Sequence, residues 1–258
     1  MAESAGGPSL ARGPRLGPIG ETILQVKGLH RDFGGVQALK GVDIEVARGS
    51  ITGLIGPNGS GKTTLFQVVS GMDPDASGEV RFDGESILGR KPYQIYHRGL
   101  ARTFQLSRVF PDLTVLENLV VAAHRKDRGA RSRALELLTR VKLQDYTEVK
   151  GSDLSYGQQK LIEFLRVLMS EPSLILLDEP AAGVNPTLRQ TLWDMVRHLN
   201  GLGTTFVIIE HNMEVIADLC RDVYVLAEGE IIAHGEFSKV REDERVLEAY
   251  FGKSRIRQ

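Results

Sequence analysis

The run Gly56-Pro57-Asn58-Gly59-Ser60-Gly61-Lys62-Thr63 fits the pattern G-x-x-x-x-G-K-[S/T] and stands between an apolar stretch at residues 51–55 and a helical pattern at residues 64–70. In a strand, loop, helix setting, glycines let backbone N–H groups close around phosphate oxygens at a helix N-terminus, where the helix dipole favours an anion. Lys62 can reach the β- and γ-phosphates of a nucleotide, and the Thr63 hydroxyl suits Mg2+, which offsets charge during phosphoryl transfer. The competing reading, a chance glycine-rich turn, accounts for neither the strand before it nor the helix after it.

A second apolar run, residues 174–177, ends in Asp178 and Glu179. Open α/β sheets place ligands beyond the carboxyl ends of their strands, so Asp178 is expected to assist Mg2+ and Glu179 to polarise water. Alone, such a pair only ends a strand at the solvent boundary; the phosphate loop gives it chemical meaning. Leu154-Ser155-Tyr156-Gly157-Gln158-Gln159 directly precedes an apolar helical stretch. Ser155 can cap that helix and turn its positive end toward an anion, although by itself this is an ordinary helix cap.

These groups need a scaffold. Residues 22–46 alternate short β-type runs with turns and predict a flanking antiparallel sheet. Residues 92–152 are mostly helical in pattern, with Thr114 and Glu117 forming a capping box for a helix through Ala123. Then follow a helix (158–169), a strand (174–177), a helix (186–202), a strand (204–209) and a helix from Asn212, an alternation that predicts a parallel α/β sheet. A hairpin (223–226 with 231–234) and a helix (241–251) close the chain. Residues 1–20, rich in glycine, proline and alanine, read as a disordered tail, and residues 21–258 as a single domain with a helical lobe at about 92–165.

With 258 residues, 41% of them hydrophobic, the chain can bury a substantial core, and a formal charge of -1 gives no electrostatic footprint for nucleic acid. Cys220 is the only cysteine, so an internal disulfide is impossible and the chain suits a reducing compartment. No window is apolar enough for a membrane span and the first residues lack a secretory block, which predicts folding in the cytosol. His30, His97, His124, His198 and His234 are scattered without zinc-ligand spacing.

In this order along the chain, the phosphate loop, an LSxGQ-type signature at 154–158, Asp178-Glu179 and His211 after a strand resemble the ATPase subunits of ABC transporters. The resemblance runs from Thr22 to Phe251 and implies an α/β fold. That fold is a P-loop ABC-type nucleotide-binding domain with a RecA-like parallel-sheet core, an N-terminal antiparallel β subdomain and a helical lobe. It implies an ATPase using ATP and Mg2+. Phe33 would stack on adenine, and Gly56, Pro57, Asn58, Gly59, Ser60, Gly61, Lys62, Thr63 and Thr64 would wrap the phosphates. Thr63, Asp178 and Gln105 would hold Mg2+, with Gln105 also coupling the attacking water to a permease. Glu179 would be the general base and His211 would contact the γ-phosphate. Ser155 and Gly157, with Gln158 beside them, would contact ATP bound by a partner subunit, so that two chains build two composite sites. Singly, Phe33 could be core, Gln105 a solvated loop residue and His211 a packed histidine; their joint order favours the functional reading.

Two departures stand out: Tyr156 replaces the first glycine of the commonest signature, and Ala182-Gly183-Val184-Asn185 stands where many relatives have Ser-Ala-Leu-Asp. With Arg102-Thr103-Phe104-Gln105, residues 113–119 and residues 181–186, these variants look most like importers of branched-chain amino acids, the urea importers being similar. That resemblance implies integral-membrane permease subunits, a second ATPase subunit forming a homodimer or heterodimer, a solute-binding protein acting indirectly, and a peripheral position on the cytoplasmic face of a bacterial-type cell membrane. Leu106, Val109 and Phe110 would meet the permease, packing of the helical lobe being the competing reading for each of them. A soluble ABC-type ATPase working on DNA or ribosomes, a nucleotide kinase or GTPase, and a binding-only ATP sensor are the rival readings. The first usually carries coiled-coil arms or a second cassette, and the signature and His211 argue against the others.

Overall fold

The computed structural model describes residues 18–103, 109–123 and 127–252. The tail expected at 1–20 therefore lies almost wholly outside the described residues. Two long strands open the chain, β1 (Thr22–Phe33) and β2 (Val36–Ala47), antiparallel and joined by a tight Gly34-Gly35 turn. β3 (Ile51–Ile55) leads through the glycine loop into α1 (Lys62–Val69), followed by β4 (Ser77–Phe82) and the short β5 (Glu85–Ser86). Next come α2 (Pro92–Tyr96), β6 (Leu100–Arg102), α3 (Val115–Val120), α4 (Ala130–Arg140) and α5 (Tyr156–Leu168). The chain closes with β7 (Leu174–Asp178), α6 (Pro186–Gly201), β8 (Thr205–Ile209), α7 (Met213–Leu219), β9 (Asp222–Ala227), β10 (Glu230–Glu236), α8 (Phe237–Val240) and α9 (Glu244–Phe251).

A four-stranded antiparallel sheet runs β2-β1-β4-β5, and a six-stranded sheet runs β10-β9-β3-β8-β7-β6, parallel except for the β9–β10 hairpin. Side chains alternate along a strand, and β7 shows the result: Leu174 and Leu176 enter one core, Ile175 and Leu177 the other. The first core fills the gap between the two sheets around α1, with Leu65, Phe66, Val26, Val42 and Val80; the second lies under α3 to α6, with Leu119, Leu138, Ile162, Leu165 and Trp193. Strands buried on both faces read as unbroken apolar runs, which is why β7 and β8 were visible in the sequence.

Several elements differ from the sequence reading. β6 interrupts the region that reads as helical: at three residues it is too short to show a period, and β7 recruits it as an edge. β4 and β5 extend the flanking sheet beyond residue 46. The closing helix expected at 241–251 begins only at Glu244, capped by Asp243, whose side chain accepts from Arg245 N–H, and the short α8 precedes it. The Thr114–Glu117 capping box is present at the start of α3. Among the described residues no helix is long and apolar enough to cross a membrane.

Candidate functional site

The glycine loop joins the buried β3 to α1 and is pressed against its neighbours. At Gly56 a Cβ would meet Leu226 O at 1.9 Å, and at Gly61, with φ of 110°, it would meet Ala38 O at 2.4 Å, so neither position admits a side chain. Ser60 O accepts from Gly229 N–H at 3.0 Å, tying the loop to the β9–β10 turn. Gly61 gives α1 no side-chain cap, which leaves the first-turn N–H groups to another acceptor. Asn58 and Gly59 are exposed, Pro57 and Thr64 half-buried, and Thr63 exposed on the first turn of α1.

Lys62 is buried, and its Nζ donates to Gly56 O and Pro57 O, each at 2.8 Å. Burial pushes its pKa down, while Glu179 and Asp178 pull it back. Uncapped N–H groups around a buried ammonium, on a backbone with no room for side chains, fit a polyphosphate. The Thr63 hydroxyl and the Asp178 carboxylate are oxygen donors of the kind Mg2+ takes.

Asp178 ends β7 and is 1% exposed. Arg102 Nη2, at the end of β6, donates to its Oδ2 at 2.8 Å, and Asp178 N–H donates to Thr103 Oγ1 at 3.3 Å. Burial raises the carboxyl pKa and Arg102 opposes it. Asp178 is in register with Ile209, so the segments that follow the two strands leave the sheet at the same edge. Glu179 there has φ of 48°, an uncommon conformation for a side-chain-bearing residue, and its N–H donates to Ile209 O at 3.0 Å. Glu179 Oε1 lies 2.7 Å from His211 Nε2. With Glu179 ionised, the bridging proton sits on Nε2.

Ser155 caps α5, accepting from Gln158 N–H at 3.4 Å while Gln158 Oε1 accepts from Ser155 N–H and Oγ–H at 2.9 Å. Gly157 is buried against Leu188 and Val184. Gly183, with φ of 70°, lies under Tyr156: a Cβ there would meet Tyr156 Cε1 at 3.0 Å. Asn185 caps α6 by accepting from Leu188 N–H at 3.0 Å, so the polar shape kept at this departure has a structural use. Phe33 is 46% exposed at the end of β1 rather than in the core, with the Arg31 guanidinium 4.1 Å from its ring centre and Arg31 anchored on Asp73. Phe110 is exposed and faces Arg166, its backbone clamped by the buried Asn118. Gln105 and Leu106 lie outside the described residues.

The structure thus brings the phosphate loop, Lys62, Asp178, Glu179 and His211 to one end of the parallel sheet, while Ser155 and Phe33 stand on exposed surface of other elements. Glu210 escaped the sequence reading, and Arg102 entered it only as part of the run Arg102-Thr103-Phe104-Gln105, with no role of its own. Glu210 adjoins His211, but a single charged residue beside a strand end carries no pattern.

The profile of the ABC transporter family matches residues 39–182. The chain belongs to the ABC transporter ATP-binding family. It is an ATPase by that membership, with the α/β cassette fold expected. This cassette is 36% identical over 245 residues to the probable branched-chain amino acid transport ATP-binding protein LivG of Archaeoglobus fulgidus, covering 89% of this chain and 95% of that one. An ATP-binding cassette of an ABC transporter in its ADP conformation matches with a TM-score of 0.81 at 36% identity, over 90% of this chain and 100% of that one. A cassette solved as a dimer in a post-hydrolysis state with ADP and phosphate matches with a TM-score of 0.75 at 26% identity, over 83% and 98%.

Proposed function

We propose that this ABC ATPase powers an importer of branched-chain amino acids. The observation that carries the substrate class is its 36% identity to LivG across nearly the full length of both chains. Residues 21–258 would form the single ATPase domain, with the helical lobe at about 92–165.

ATP would lie along residues 56–64, with Phe33 against the adenine. Lys62 holds a positive charge inside the loop where the phosphates converge, and α1 adds its uncapped N–H groups. Thr63, Asp178 and Gln105 would hold Mg2+, which when bound offsets phosphate charge. Glu179 receives the proton of the attacking water on its carboxylate, and His211 Nε2 orients that carboxylate and then faces the γ-phosphate. No covalent intermediate is needed, because phosphoryl transfer asks chiefly for positioning and charge neutralisation.

Ser155, Gly157 and Gln158 would close on ATP held by a second ATPase subunit, a reading supported by the dimeric cassette of similar fold. Exposed Phe110 and half-buried Val109 would meet a permease on the cytoplasmic face of the membrane. The test is purification of the chain from membranes with its partners, followed by ATPase and amino-acid uptake assays. A co-purifying permease whose leucine uptake stops with Glu179→Gln supports the proposal; uptake unaffected by that variant, or co-purification with ribosomes or DNA, overturns it.

A further inference from the structure

Phe33 is the last residue of β1, and the strand loses a neighbour just before reaching it. Pairing of β1 with β4 ends at His30 opposite Ser77; beyond that point β1 pairs with β2 alone, with a shift of register between Arg31 and Asp32. Arg31 stands where that support stops. Its Nε donates to Asp73 Oδ2 at 2.7 Å, its Nη1 donates to Asp32 O at 2.6 Å, and its Cζ lies over the Phe33 ring, 4.1 Å from the centre. The Arg31 and Asp73 side chains are only 14% and 10% exposed, so this is not a solvated surface pair of little consequence. Asp73 is itself tied to α1: its N–H and that of Met72 donate to Gln67 O near the end of that helix. Arg31 thereby links the tip of β1 to the helix whose first turn belongs to the phosphate loop. One face of the Phe33 ring is covered by the guanidinium, yet the residue stays 46% exposed, which leaves the opposite face for solvent or for a base.

We propose that Arg31 is a positioning residue for nucleotide binding, which backs one face of Phe33 and holds the ring as a one-sided platform for adenine at a fixed place relative to the phosphate loop. The proposal rests on the reading of Phe33 as the adenine contact. A ring already held in place does not have to be ordered when the nucleotide arrives, so less of the stacking energy is lost to entropy. A cation on one face also offsets part of the negative π-cloud, which favours an electron-rich purine on the other.

The test titrates ATP and inorganic tripolyphosphate, without Mg2+, into the full chain and into Arg31→Ala, Phe33→Ala and the double variant. Tripolyphosphate has no base and reports the phosphate loop alone. Phe33→Ala is expected to weaken ATP binding by about 10-fold and Arg31→Ala by about 3-fold or more, while tripolyphosphate affinity stays within about 2-fold of wild type in both. Because Arg31 acts through the ring, the double variant should bind ATP within about 2-fold of Phe33→Ala alone. Arg31→Ala leaves the Asp73 carboxylate without its cation, so the titrations are repeated with Asp73→Asn added, which removes the stranded charge and keeps the comparison open if the single variant does not fold. Wild-type ATP affinity without the Arg31 side chain, an equal loss for tripolyphosphate, or a further loss in the double variant overturns the positioning role. If Phe33→Ala itself binds ATP as wild type does, the adenine reading of Phe33 falls and Arg31 with it; a loss in Phe33→Ala that Arg31→Ala does not share removes Arg31 alone.

Discussion

Arg102 Nη2 lies 2.8 Å from Asp178 Oδ2, and the two residues, 7% and 1% exposed, stand 76 positions apart in the chain. Removing one partner of a buried ion pair leaves an uncompensated charge and typically costs about 3–5 kcal/mol. Arg102→Met should therefore lower the unfolding free energy by about 3 kcal/mol or more in urea titrations. Arg102→Lys should recover part of it, since a point charge replaces a planar fork. A methionine variant as stable as wild type would remove the pair from any account of this fold.

Glu179→Gln keeps the size of the side chain and loses its proton affinity. We expect kcat for ATP to fall by about 100-fold or more while ATP binding persists, read by phosphate release and by equilibrium binding on the same preparation. Turnover within a few-fold of wild type would assign the base elsewhere.

Gly61→Ala tests the shape of the phosphate loop. Its Cβ would press on Ala38 O from a backbone with φ of 110°. Strain of this kind costs about 1–3 kcal/mol, and relief by moving the loop should weaken ATP binding as well. Thermal melts with and without ATP separate the two effects: a variant whose melt and whose ATP-induced shift both match wild type contradicts the packing described for Gly61.

Burial raises the Glu210 carboxyl pKa above its ordinary 4.5, opposed by the N–H groups of Asn212, His211 and Ala181. With the folded value above the unfolded one, the folded chain retains a proton that the unfolded chain has lost. This contribution to stability is full below the unfolded pKa and is lost as pH rises through the folded pKa. Glu210→Gln does not titrate, so as pH rises from about 4.5 through the folded pKa the unfolding free energy of the variant should gain on that of wild type. A difference that stays level across this range would mean that Glu210 ionises at the same pH in both states.

The parts of this molecule that were legible in sequence are those whose physics is local. The phosphate loop lies between its strand and its helix, the Thr114–Glu117 box and the Ser155 cap close within one turn, and β7 and β8 are apolar on both faces. The three residues of β6 have no period of their own and become a strand only because β7 offers an edge. The Arg102–Asp178 pair joins residues 76 positions apart in the chain, and no spacing rule announces it. Residue types at Glu179 and His211 suggested their chemistry, but their 2.7 Å approach depends on the register of two strands.

The contact between Tyr156 and Gly183 constrains how this surface could have changed over time. A Cβ at 183 would sit 3.0 Å from the tyrosine ring, on a backbone that disfavours one in any case. The aromatic residue in the signature and the glycine in the turn after Glu179 thus pack as a pair. A larger residue at 183 would have to move the exposed Tyr156 ring by a few tenths of an ångström and adopt a left-handed backbone as well, so the tyrosine adds to a cost that the backbone at 183 already imposes.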